Sequence, residues 1–483
     1  MNYKMIGRIL AQILLVEAVL MAPSVIWCII DREPQIIRAF AASIALTLAA
    51  AGVLWLACRK AQRGFYAREG FVCVGVSWIA LSLMGCLPFY LSQEIPRFED
   101  ALFEIVSGFT TTGASILPAV EGMPRGLLFW RSFSHWLGGM GVLVFLLAIV
   151  SAGRSPGFTL HLLRAESPGP DVGKLVPRTR QTASLLYLIY IILTVINLIF
   201  LLAGGMPLFD ALCTAFGTAG TGGFGIRNDS MGSYSPYIQN VCTVFMLLFG
   251  VNFTLHYMIV LRRLRAVALD EELRLYLGAV IGCTALIAWN IRSLYPTAGE
   301  TIRHAAFQVA SIITTTGFST TDFDRWPVFS KTILLGLMVV GACAGSTGGG
   351  FKCGRILLAV KNMARSIRQQ LYPQRVQVVR INRQVVGERV LGNVSAFLTA
   401  YALILAGSVL IVSLDGFSVE TNLSAVLACF NNIGPGLDQV GPMCSFAGYG
   451  TVSKLVLIFD MLAGRLEIFP ILALMAGSTW RKR

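Results

Sequence analysis

A chain of 483 residues that is 55% hydrophobic and only 13% charged, with a mean hydropathy of +0.70, has too little polar surface to coat a soluble domain of its size, so it belongs in lipid. Its net charge of +14 would argue for a nucleic-acid partner if the basic residues formed one solvated face. They fall instead in the connections between apolar segments, which excludes that class.

In chain order, apolar runs of about 20 residues, enough to cross roughly 30 Å of hydrocarbon, lie near 9–30, 36–58, 70–92, 126–151, 182–204, 236–261, 275–294, 331–360, 393–414 and 453–477. These are ten candidate spans. The first is longer than a signal-peptide core, contains Glu17 and lacks a small-residue cleavage site, so it reads as retained. Assigning connections to alternate sides places 27 of the 39 Lys and Arg on one side and 11 on the other, with Arg465 left inside the last span. The positive-inside rule makes the richer side cytoplasmic, together with both termini. The outer side carries Glu94, Glu99, Asp100, Asp210, Asp322, Asp324, Asp415 and Glu420, a charge that concentrates cations at a pore mouth. Eleven cysteines form no C-x-x-C, and His135, His161, His256 and His304 form no H-E-x-x-H. Neither a zinc site nor an enzyme announces itself.

After the first two spans a unit recurs four times: a span, a short mixed-apolar segment, a glycine-ended loop and a second span. The units cover 68–152, 182–262, 271–360 and 393–478, behind an N-terminal pair of spans at 1–60. The loops end Thr110-Thr-Thr-Gly113, Ala219-Gly-Thr-Gly222, Thr314-Thr-Thr-Gly317 and Asn431-Asn-Ile-Gly434, with glycines 109, 95 and 117 residues apart. A segment of about 12 residues is too short to cross the bilayer, so it must dip in and return. Irregular backbone at membrane depth is tolerated only inside protein or beside a water-filled cavity. Four such loops on one side, around one axis, supply that cavity. The expected fold is an all-α integral membrane protein, pseudo-fourfold around a pore.

A cation leaving water needs replacement oxygens, and a ring of backbone carbonyls supplies them without a fixed charge that would hold the ion too tightly. The carbonyls of Thr111, Thr112, Gly220, Thr221, Thr315, Thr316, Asn432 and Ile433, each just before its glycine, are the expected ligands. Gly113, Gly222, Gly317 and Gly434 allow the turn, since glycine reaches positive φ without steric cost. The short helices end there, and their negative dipole ends add to cation stabilisation.

Two features lie deeper. Gly341-Ala-Cys-Ala-Gly345-Ser346-Thr347-Gly348-Gly349-Gly350 interrupts the eighth span with a composition that breaks helices. It falls short of a phosphate loop, because Phe351 precedes Lys352 and Cys353 stands where Ser or Thr belongs. Arg465 lies roughly 18 Å into the last span at 1.5 Å per residue, where a charge is functional or paired. A structural pair with Glu467 or Asp460 is the alternative to a functional role.

The four loops, with Arg68-Glu-Gly70, Arg164-Ala-Glu-Ser-Pro-Gly-Pro170, Cys343-Ala-Gly-Ser-Thr-Gly-Gly-Gly350 and Gly464-Arg-Leu-Glu-Ile-Phe469, resemble the Trk/Ktr superfamily of bacterial potassium-uptake proteins, in its TrkH/TrkG branch. The resemblance covers nearly the whole chain. It implies potassium as the substrate at the filter, selectivity associated with glycine in all four loops, and the cytoplasmic membrane of a prokaryote. It further implies that the 345–350 loop obstructs the pore under the filter, with Arg465 beside it as a positive barrier. It also implies a homodimer and a cytosolic TrkA-type nucleotide-binding regulator, docked on the 152–180 and 352–389 connections. A secondary transporter coupling potassium to sodium or protons is the competing reading; it would call on Asp460 or Glu467.

Overall fold

The computed structural model describes residues 1–59, 67–139, 141 and 179–480. The second half of the 126–151 span, the 152–180 connection with its Arg164–Pro170 motif, and the C-terminal Arg481–Arg483 lie outside the described residues.

Helices dominate. The N-terminal pair is α1 (Tyr3–Leu20) with α2 (Ala22–Ile30), then α3 (Pro34–Ala57). Asn2 caps α1 by accepting the Met5 amide, and prolines open α2 and α3, where a missing N–H costs nothing. The next unit holds α4 (Ala67–Gly85), α5 (Leu87–Leu91), α6 (Phe98–Phe109) and α7 (Arg125–Gly139). It is followed by α8 (Thr179–Ala203), α9 (Leu208–Gly220), α10 (Pro236–Phe249), α11 (Phe253–Val260) and α12 (Leu264–Ala268). The third unit comprises α13 (Glu271–Asn290), α14 (Ala298–Ile313), α15 (Val328–Val340) and α16 (Cys353–Leu371). A two-stranded hairpin, β1 (Arg380–Ile381) against β2 (Gln384–Val385), leads to α17 (Glu388–Val412), α18 (Val419–Phe430), α19 (Thr451–Arg465), α20 (Phe469–Met475) and α21 (Gly477–Trp480).

Among the described residues six helices, or seven counting the bent α10–α11 pair, are long and apolar enough to cross a membrane. The ten expected spans and these six or seven differ for a physical reason. In units two to four the second span is interrupted: α10 and α11 meet at 95°, α15 stops at Gly341 (φ +71°), and α19 gives way at Glu467 and Ile468 (φ +54° and +67°); in unit one only the part up to Gly139, α7, belongs to the described helices. The sequence reading placed a break only in the third.

The short helices α6, α9, α14 and α18 have 12, 13, 16 and 12 residues, or roughly 18–24 Å at 1.5 Å per residue, which is less than the hydrocarbon thickness. Thr297 and Ser418 cap α14 and α18 with their hydroxyls. Most of their residues are buried, as expected of helices enclosed by longer ones.

Candidate functional site

Each short helix ends in the same backbone turn. In the first loop Thr111 N–H donates to Gly108 O and Thr112 N–H to Ser107 O, at 3.1 and 2.9 Å. The same two bonds recur as Thr221 to Thr218 and Gly222 to Gly217, Thr315 to Ile312 and Thr316 to Ser311, and Asn432 to Cys429 and Ile433 to Ala428. Paired bonds of this kind satisfy carbonyls left over at a helix C-terminus. Thr111, Thr221, Thr315 and Asn432 take φ of +54 to +58°, so the turn is set by residues other than glycine.

This pattern fixes the register and shifts the second loop by one residue. Gly113, Gly317 and Gly434, at φ +81, +84 and +102°, correspond to Gly223 at +71°. Gly222 corresponds instead to Thr112, Thr316 and Ile433, and Gly220 to Thr110, Thr314 and Asn431.

The four loops close on one another. A Cβ on Gly113 would lie 1.9 Å from Gly222 O; on Gly223, 1.9 Å from Thr316 O; on Gly317, 2.1 Å from Ile433 O; and on Gly434, 2.8 Å from Thr112 O. The relation runs through all four units and returns to the first. Hence Thr112, Gly222, Thr316 and Ile433 present carbonyls to their neighbours' glycines, where no side chain fits. Above the ring is a cavity of ≈ 120 Å³ that touches Gly113, Gly223, Gly317 and Gly434. Side chains differ around the ring. Thr110 and Thr112 share a hydroxyl bond of 2.7 Å, as do Thr314 and Thr316, while Asn432 Nδ2 donates across to Thr112 Oγ1 at 3.0 Å.

Beneath the ring runs the segment from Gly341 to Lys352. Gly349 N–H donates to Thr315 Oγ1 at 2.6 Å, and a Cβ on Gly349 would lie 2.6 Å from Asn431 O. The segment therefore sits directly under the third and fourth loops. Cys343 N–H and Thr347 Oγ1 donate to Gly250 O and Phe249 O, while Phe253 N–H donates to Gly345 O. The loop thus fills the break between α10 and α11. From the α13 N-terminus, Glu272 Oε1 accepts both Ala344 N–H and Gly354 N–H, at 2.7 and 2.8 Å, pinning the two ends of the segment together. Ser346, Gly348 and Gly350 complete the stretch, with Ser346 Oγ donating back to Cys343 O.

Arg465 reaches across this level. Its guanidinium donates to Thr347 O at 2.9 Å, to Gly139 O at 2.8 Å and to Gly138 O, linking units four, three and one. Of the two carboxylates on the same segment, Glu467 forms an ion pair with Arg355, and Asp460 Oδ1 accepts from Ser408 Oγ–H at 2.8 Å. Gly138 and Gly464 let the spans approach, since a Cβ on either would meet Phe109 O or Phe430 O within 2 Å.

Sequence reasoning missed three supports of the ring and the segment beneath it. Glu104 on α6 and Arg131 on α7, 0% and 3% exposed, form an ion pair at 2.5 Å. Glu104 also accepts Ser115 Oγ–H and Ile116 N–H, and Arg131 donates to Gly225 O. Glu272 and His135 are the others. No spacing rule joins these residues, which lie on different elements.

Residues 36–482 match the family described as TrkH, cation transport protein. The chain belongs to the TrkH family. It is 38% identical to the Trk system potassium uptake protein TrkH of Salmonella typhimurium over 92% of both chains. To the protein of that name from Halomonas elongata it is 35% identical over 100% of both. The crystal structure of the potassium transporter TrkH from Vibrio parahaemolyticus superposes with a TM-score of 0.88 at 32% identity, covering 100% of each chain. TrkH proteins form a transport family rather than an enzyme class, and this member is a multi-pass protein of a bacterial inner membrane.

Proposed function

We propose that this TrkH-family chain takes up potassium through the carbonyl ring of its four loops, as a gated, channel-like pore. The ring closure carries the reading: four equivalent carbonyls, Thr112, Gly222, Thr316 and Ile433, face four glycines that admit no Cβ. Carbonyls suit a weakly hydrated monovalent cation, and the relatives are named for potassium uptake. Ten spans in a pair plus four units, both termini cytoplasmic, remain the architecture proposed around it. The inside-negative potential favours cation entry by about 2.3 kcal/mol per 100 mV. The 345–350 loop under the ring, held by Arg465, is the proposed gate: its backbone lies where an ion leaving the ring would pass, and the guanidinium adds positive charge there.

A homodimer and a TrkA-type nucleotide-binding regulator on the basic 352–389 connection complete the proposal. Of the two carboxylates that coupling to sodium or protons would call on, Glu467 is paired with Arg355, and Asp460 is fully buried, with Oδ1 on Ser408 Oγ and Oδ2 without a hydrogen-bond partner among the described residues.

The test is the reversal potential of the purified, reconstituted protein under opposed potassium, sodium and proton gradients. It should follow potassium alone. An obligatory dependence on a second ion would replace the channel reading with coupled transport, and absence of flux with or without a regulator would defeat both.

A further inference from the structure

The second loop departs from the others in lacking side chains at two positions. Where loops one and three have Thr110 with Thr112 and Thr314 with Thr316, joined by hydroxyl bonds, the second has Gly220 and Gly222. The space is filled from another element. A Cβ on Gly222 would lie 2.3 Å from His135 Cγ and Nδ1, and one on Gly220 would lie 2.2 Å from His135 O. His135, on α7 and 0% exposed, places its ring where loop two would carry its own side chain.

That ring is bonded at both nitrogens. Nδ1 lies 2.8 Å from Gly108 O at the end of α6, and a carbonyl only accepts, so Nδ1 carries the proton. Nε2 is then the acceptor, and it takes Phe224 N–H at 3.3 Å, one residue past Gly223. The imidazole also lies against the Phe224 ring, with centroids 4.1 Å apart. The neutral Nδ1–H tautomer is therefore built in, and it spans from the first short helix to the exit of the second loop.

We propose that His135 is a positioning residue that sets ion selectivity: it stands in for the side chains missing from loop two and fixes the Gly222 carbonyl in the ring through Phe224 N–H. The proposal rests on the reading of the four loops as the cation filter. It explains why loop two tolerates two flexible positions, Gly220 and Gly222, that would otherwise leave one quarter of the ring less ordered than the rest.

The experiment compares His135→Gln, His135→Asn and His135→Phe with the native protein in vesicles, reading the potassium-to-sodium permeability ratio from bi-ionic reversal potentials. Gln carries an oxygen near the Nε2 position and keeps the Phe224 bond; Asn reaches only the Nδ1 position and keeps the Gly108 bond; Phe keeps the volume and neither bond. Leaving a buried N–H unpaired should lower the ratio about tenfold in the Asn and Phe variants and much less in Gln. Equal selectivity in all four proteins would overturn the proposal, as would a Gln variant no better than Asn. A native protein without potassium preference would defeat the filter reading itself, a different result. Should Phe fail to assemble, Gln against Asn still decides. In detergent, the extra thermal protection by potassium over sodium gives a second readout and should rank native, Gln, Asn; an unchanged potassium advantage in Asn overturns the proposal.

Discussion

Gly223→Ala is the substitution on which the corrected register stands or falls. At φ +71° an alanine is strained by about 1–2 kcal/mol, and its Cβ would sit 1.9 Å from Thr316 O. A carbon–oxygen contact of about 3.3 Å would be the closest comfortable approach, so the Thr316 carbonyl or loop two must move by more than 1 Å, roughly 1.4 Å by difference. A displacement of that size removes one ligand from a four-carbonyl ring. Gly205→Ala is the matched control: φ is +80° with nothing within 4 Å, so it carries the strain without the collision. Potassium uptake by cells lacking other uptake systems, normalised to protein in the membrane, should fall at least tenfold for Gly223→Ala, a loss of about 1.4 kcal/mol or more, and stay near native for Gly205→Ala. Native uptake and selectivity in Gly223→Ala would refute the ring geometry. Equal loss in both variants would show that strain, not the carbonyl contact, is responsible.

Arg465→Ala removes the donors that hold Thr347 O and the Gly138–Gly139 carbonyls. Charge-assisted bonds contribute about 1.5–3 kcal/mol each, so potassium flux should rise severalfold or more; unchanged flux at normal expression would sink the gate assignment. Arg131→Leu leaves Glu104 buried without its cation and should destabilise the protein by about 3–5 kcal/mol, measured by thermal unfolding in detergent. Adding Glu104→Gln should recover much of that loss, and if it recovers none, the pair is not the cause. At the outer mouth, hydroxyls of Thr421 and Ser418 hold the Asp438 carboxyl below the usual carboxylate range. A depressed folded pKa contributes stability above the unfolded value, and that contribution disappears as pH falls through the folded one. The melting-temperature gap between native and Asp438→Asn should therefore be constant at neutral pH and narrow below about pH 4. A gap that widens in acid would contradict the assignment.

Much of the backbone geometry of the candidate site was legible in the sequence because it rests on local backbone rules. Glycine-ended loops after segments too short to span, and a glycine run inside a span, carry their own physical signature. The one-residue shift in loop two was harder, since Gly222 and Gly223 are adjacent and both can end the motif. Its signal lay just beyond: Gly223-Phe224 matches Gly317-Phe318. The break after α10 was marked weakly by Gly250 and the capping Asn252. The break after α19 was not legible at all, because it places Glu467 and a β-branched Ile468 at positive φ, against local preference. Tertiary contacts hold it: Glu467 meets Arg355, and Ile468 is 1% exposed. His135, Glu104 with Arg131, and Glu272 escaped for a related reason. Each acts on a partner distant in sequence, and a lone His or Glu in an apolar span has no local pattern.

The central claim is that an ion is held by the carbonyls of Thr112, Gly222, Thr316 and Ile433. Locating rubidium or thallium by anomalous scattering in crystals of the protein tests it most directly. A peak on the axis within coordination distance of all four oxygens, displaced by potassium but not by equal sodium, is the expected result. A fully occupied ring of carbonyls with no heavy cation, or a peak bound to side-chain carboxylates instead, would contradict it.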